Sequence, residues 1–130
     1  MKYTMEEWVA EGKRRFGENI KDWKFVCPAC GRINTGREFC ELGAKTNDIY
    51  QTCIGRHNGK GISGAGHKSG ERAPEHGCDW SAFGLFGTLG KGDIVTEIDG
   101  SMLNIFAFAE SAGSSDKGGI DDDNSQQSQN

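Results

Sequence analysis

A chain of 130 residues has room for one domain, and its 35% apolar content leaves that domain a modest core. A net charge of -4 is not the strong basic bias usual in nucleic-acid binders, and no stretch approaches the roughly 20 apolar residues of a membrane span. The charge is uneven: residues 1–60 carry +3 and residues 61–130 carry -7. Residues 1–20 mix charges without a long apolar run, so no signal peptide is expected. Five cysteines in such a chain point to thiols in a reducing, cytoplasmic compartment and to metal binding rather than disulfides.

In chain order, residues 4–16 read as a helix. Thr4 and Glu7 have capping-box spacing, Met5, Trp8, Val9 and Phe16 share a stripe that Gly12 weakens, and Gly17 is the stop. Asp22 to Val26 reads as a strand with Trp23 and Phe25 on one face. Thr35 to Leu42 is a short second helix, with a capping box at Thr35 and Glu38 and with Phe39 and Leu42 packing inward together. Cys40 within it reads as a small buried hydrophobe or a free thiol. Alternation over Asp48 to Ile54 predicts another strand. Residues 57–77 are Gly-rich, hold Ile62 as their one large apolar side chain, and are expected to form a flexible loop. Gly59-Lys60-Gly61 lacks the spacing of a phosphate loop. Trp80, Phe83, Leu85 and Phe86 are expected to pack inside against the metal site, the alternative being an exposed partner surface. Ile94 to Ile98 and Met102 to Phe108 form a hairpin around Asp99-Gly100. The composition predicts one domain over residues 1–110 and a disordered acidic tail over 111–130.

The chemistry lies in the cysteines. Cys27-Pro28-Ala29-Cys30 places two thiolates where one tight turn can grip an ion. Cys53 follows after a 22-residue gap, with Gly55 two positions on, where glycine is expected to let backbone amides turn toward the sulfur, and Cys78 follows after a further 24, next to Gly77. Cys27, Cys30, Cys53 and Cys78 therefore form the expected ligand set for a structural zinc ion joining three separate segments. His57 and His76 compete for the fourth position. Structural zinc contributes on the order of 10–16 kcal/mol of apparent binding energy, against roughly 5–15 kcal/mol of net stability in a typical domain. A redox reading of Cys27 and Cys30 would need a helix to start at the first cysteine, and Gly31 opposes that. No hydrolase or deaminase motif is present, so no enzyme is expected.

Trp23-Lys24-Phe25-Val26-Cys27-Pro28-Ala29-Cys30-Gly31, then Cys53-Ile54-Gly55-Arg56, then Gly77-Cys78-Asp79-Trp80 with Phe83-Gly84-Leu85-Phe86, resembles a family of small uncharacterised zinc-ribbon-like proteins from tailed phages and prophages. Met5-Glu6-Glu7-Trp8 and Arg15-Phe16-Gly17 are similar as well. The resemblance implies a phage-encoded protein acting in a bacterial host cytoplasm and implies no activity. The Gly-rich loop and Cys40 depart from the pattern.

The expected fold is α+β: a small zinc-ribbon-like domain with an N-terminal helix, a short second helix and a C-terminal antiparallel β-hairpin. The expected function is that of a non-enzymatic phage accessory protein engaging a host or anti-phage-defence protein. The alternative is a nucleic-acid-binding zinc ribbon using Arg14, Arg15, Arg32, Arg37 and Arg56.

Overall fold

The computed structural model describes residues 1–68, 70–84 and 86–109; the acidic tail expected at 111–130 lies outside the described residues, as do Ser69 and Leu85. The elements in order are β1 (Lys2–Thr4), α1 (Met5–Phe16), a 3-10 turn (Ile20–Asp22), β2 (Lys24–Val26), β3 (Ile33–Thr35), α2 (Gly36–Glu41), α3 (Asp48–Gln51), α4 (Gly55–Asn58), β4 (Asp93–Thr96), β5 (Met102–Ile105) and β6 (Ala107–Phe108). They build a small mixed α/β structure with two three-stranded sheets, ordered β1-β4-β5 and β3-β2-β6. Among the described residues, no helix is long and apolar enough to cross a membrane.

The helix starts form as local chemistry dictates. In α1 the Glu7 N–H donates to Thr4 Oγ1 at 3.1 Å, and the Thr4 N–H donates to Glu7 Oε1 at 2.8 Å. Thr35 and Glu38 repeat the arrangement at α2. Trp23 and Phe25 face inward together from the β2 segment, as the alternation requires.

Four expectations are corrected. Asp48 to Gln51 is one helical turn rather than a strand, and only Thr52 beyond it makes an isolated bridge, to Ser81. The Thr52 hydroxyl donates back to Asp48 O at 2.8 Å, which holds the turn closed. The predicted hairpin strand over Met102 to Phe108 breaks at Phe106. Residues 102–105 pair with β4, while 107–108 cross to pair with β2, so this one segment ties the two sheets together. Leu42 does not join Phe39 inside: Phe39 is fully buried, but α2 ends at Glu41 and leaves Leu42 exposed. Phe83 and Phe86 also lie outside, 58% and 70% exposed, instead of packing behind the cysteines.

The core is aromatic. Trp8, Phe25 and Phe108 pack in a triangle, with ring centres 6.2 Å (Trp8–Phe25), 5.9 Å (Trp8–Phe108) and 5.2 Å (Phe25–Phe108) apart, and Trp8 meets Trp23 and Tyr50 edge-on at 5.5 and 4.9 Å. Gly12, the break in the α1 stripe, is where the Trp23 ring lies on the helix: a Cβ there would come within 2.3 Å of that ring. The glycine is a packing requirement. Although alanine is the better helix former by roughly 0.8–1 kcal/mol, Gly12→Ala should destabilise the protein by about 1–3 kcal/mol through overpacking. Chemical denaturation checks this prediction, and a more stable variant would contradict it.

Candidate metal centre

Cys27 and Cys30 sit on the turn between β2 and β3. The Cys27 N–H donates to Arg32 O at 3.0 Å and the Gly31 N–H to Cys27 O at 2.9 Å, which folds the turn back on itself. Gly31 takes a φ of 80°, a left-handed conformation that glycine adopts without strain. Cys53 lies between α3 and α4, where its N–H donates to Trp80 O at 3.0 Å. Cys78 enters from the segment that pairs with both sides: Ile62 bridges Cys78 in parallel and Thr52 bridges Ser81 antiparallel. Gly77 stands at a φ of 80°, and a Cβ there would fall 3.0 Å from the Cys53 sulfur. Gly55 is equally confined, since its Cβ would meet Cys78 O at 2.5 Å. That packing, rather than an amide turned toward sulfur, is why glycine follows the Cys53-Ile54 pair.

The structure thus brings all four predicted cysteines together. They are buried and their sulfur atoms lie within 4.8 Å of one another. Cys27 Sγ is 3.6 Å from Cys78 Sγ and Cys30 Sγ is 3.8 Å from Cys53 Sγ. A tetrahedral ion with metal–sulfur bonds of about 2.3 Å has sulfur–sulfur edges of about 3.8 Å, so these separations fit four ligands around one ion. They are far beyond the roughly 2.05 Å of a disulfide. Three donors point at the sulfurs: Cys78 N–H and Asn34 Nδ2 reach Cys53 Sγ at 3.3 and 3.6 Å, and Trp80 N–H reaches Cys78 Sγ at 3.5 Å.

The four thiols titrate together. Hydrogen bonds from Cys27, then Cys30 and Cys78, hold the Cys53 thiol far below its ordinary value. Hydrogen bonding to Cys27, then Cys30 and Cys53, pushes the Cys78 thiol up, and Cys27 is pushed up chiefly through Cys30. Binding an ion to four thiolates must displace the thiol protons of the cluster, so affinity should rise with pH.

The histidines lie elsewhere. The Thr52 hydroxyl is already donating to Asp48 O, so His57 Nε2 carries the proton of its 2.9 Å hydrogen bond to Thr52 Oγ1. The His57 ring stands edge-on to Phe39. His76 is exposed, with Nε2 3.9 Å from Glu75 Oε2. Cys40 is exposed on α2 and is not in the cluster.

The five arginines named for the nucleic-acid alternative are mostly engaged locally. Arg14 and Arg15 both pair with Glu11, Arg37 pairs with Asp22, Arg32 pairs with Glu38, and Arg56 donates to Asp79 O. Three carboxylates therefore hold four of these arginines, Arg14 and Arg15 sharing Glu11. Sequence reasoning missed Asn34, fully buried beside Cys53. A polar residue in a three-residue strand gives no periodic signal.

Burial raises the Glu38 carboxyl, but the Arg32 hydrogen bond and the Thr35 N–H outweigh it and hold the group below its ordinary value of 4.5. A depressed carboxyl contributes stability above its unfolded value and loses it as pH falls through the folded one. Glu38→Gln should therefore be less stable than wild type at neutral pH, with the difference closing below pH 4.5. Denaturation series at several pH values test this.

Fold and site together define a small mixed α/β protein built around a four-cysteine cluster that is compatible with a zinc-ribbon-like site. The sequence model of the VVA0879-like family matches residues 4–109, and the chain belongs to that family. That match covers every residue of the cluster and carries no indication of a phage origin. No curated protein and no solved structure matches the chain.

Substituting Ser for any one of Cys27, Cys30, Cys53 or Cys78 should abolish tight binding of one metal equivalent, while Cys40→Ser should leave it intact. Metal analysis of purified protein checks both, and tight retention by Cys78→Ser would remove Cys78 from the ligand set.

Proposed function

We propose that the protein is a non-enzymatic binding module whose four cysteines hold a structural zinc ion and whose task is to engage another protein. Four thiolates on a tetrahedral ion leave no position for water or substrate, which supports a structural role over catalysis. Zinc suits a closed, buried, all-sulfur set. It would fasten the β2–β3 turn, the α3–α4 junction and the Cys78 segment, with its geometry set by the sulfur atoms described above.

The observation that carries the binding role is the exposure of Phe83 and Phe86, two large aromatic side chains a few residues beyond Cys78. Phe86 lines a cleft of about 250 Å3 with Trp80, Asp79 and Ala65. Rings left in water next to a rigid, metal-fastened segment suit contact with an apolar protein surface. On this reading the protein is a phage or prophage accessory factor, and the partner is a host or anti-phage-defence protein in the bacterial cytoplasm. The pairing of Arg14, Arg15, Arg32 and Arg37 with carboxylates favours this over the nucleic-acid alternative.

Phe83→Ser/Phe86→Ser should keep the metal and the fold but lose a partner captured specifically by the wild-type protein from bacterial lysate. A partner retained equally by the double variant would defeat the assigned surface. Nucleic acid retained at low salt and released steeply as salt rises would favour the alternative.

A further inference from the structure

The β3 residue Asn34 faces inward, paired across the sheet with Phe25, at a position where a core of this kind otherwise takes an apolar side chain. A fully buried amide is costly unless its hydrogen bonds are made. Asn34 makes them in a defined sense. Its Oδ1 accepts from Arg32 Nη1 at 2.6 Å, and its Nδ2 donates to Cys53 Sγ at 3.6 Å. A guanidinium has only donors, so the arginine forces the amide oxygen toward itself and turns the NH2 group onto the sulfur. Arg32 is in turn held by Glu38, with Nη2 to Oε2 at 2.9 Å and Nη1 to Oε1 at 3.3 Å, and by its Nε–H to Glu75 O at 2.8 Å.

Resting on the metal reading, we propose that Asn34 and Arg32 are positioning residues of the metal centre and set its affinity. Four thiolates around a divalent ion leave two net negative charges in a buried site, where uncompensated charge is expensive. The Asn34 N–H lowers that cost at Cys53, the sulfur that also accepts from Cys78 N–H. Arg32 supplies the orientation and a nearby positive charge. Partners that orient metal ligands in this way change affinity by about 10- to 100-fold when removed.

The test is competition for zinc against a chromophoric chelator, together with the absorption spectrum of the cobalt-substituted protein, using the full chain. Asn34→Ala should weaken zinc binding about 10- to 100-fold and move the sulfur-to-cobalt charge-transfer band to lower energy, because a sulfur lone pair loses its hydrogen bond. Asn34→Asp, of equal size but with an oxygen against the thiolate, should lose at least as much. Arg32→Met, altering a side chain at the edge of the site, should move both readouts in the same direction and decides the matter should the Asn34 variants fail to fold. Unchanged affinity, or weaker binding with an unshifted band, would make Asn34 a packing residue and overturn the proposal. A wild-type protein that binds neither zinc nor cobalt would instead overturn the metal reading itself.

Discussion

Four sulfur atoms from three stretches of chain meet in a space the size of one coordination sphere. Everything near them is arranged so that the backbones can come that close. Gly77 and Gly55 stand where side chains would strike Cys53 or Cys78, and Gly64 lies where a Cβ would sit 3.0 Å from the Cys78 sulfur. The strands here are two to four residues long, too short to hold a sheet by themselves. Meeting at one point, segments separated by gaps of 22 and 24 residues would gain from a metal cross-link what longer strands give elsewhere, a fixed register and a smaller loop entropy.

The aromatic cluster is the second anchor, and β2 belongs to both. Phe25 packs against both Trp8 and Phe108 in the core, and two residues later Cys27 begins the cysteine turn. Packing of α1 and β6 onto Phe25 therefore sets the position of the first two sulfurs. Arg15 completes that arrangement at the edge, with its guanidinium 5.3 Å from the Phe108 ring and its Nη1 donating to Ala109 O. The opposite end of the site is different in kind. Beyond Cys78 the chain leaves two large aromatic rings, Phe83 and Phe86, in solvent.

Local signals were legible where a short span holds the whole physical cause. Both capping boxes, the Gly17 stop, the inward pair Trp23 and Phe25, and the turn at Asp99-Gly100 each depend on residues within a few positions of one another. The four cysteines were legible because Cys27 and Cys30 have metal-ligand spacing and two further cysteines were at hand to complete a four-sulfur set. Signals failed where distant partners decide. The Asp48 to Ile54 alternation satisfies a strand, but the Thr52 hydroxyl and the antiparallel approach of Ser81 select a single helical turn followed by one bridge. β1 is three residues long and exists because β4 offers it a parallel edge.

By itself the sequence determined the two capped helix starts, the Gly17 stop and the Cys27–Cys30 turn, since each follows from chemistry within a few residues, and it offered Cys53 and Cys78 as partners with His57 and His76 as rivals for the last place. The tertiary structure alone decided which polar group lies against Cys53, which aromatic rings stay in water, and which sheet each end of the last strand segment joins. Those outcomes depend on what is already occupied. Trp23 takes the space over Gly12, the Trp8 cluster fills the core without Phe83 and Phe86, and Arg32 turns Asn34 toward sulfur because Glu38 and the Glu75 carbonyl hold the arginine in place.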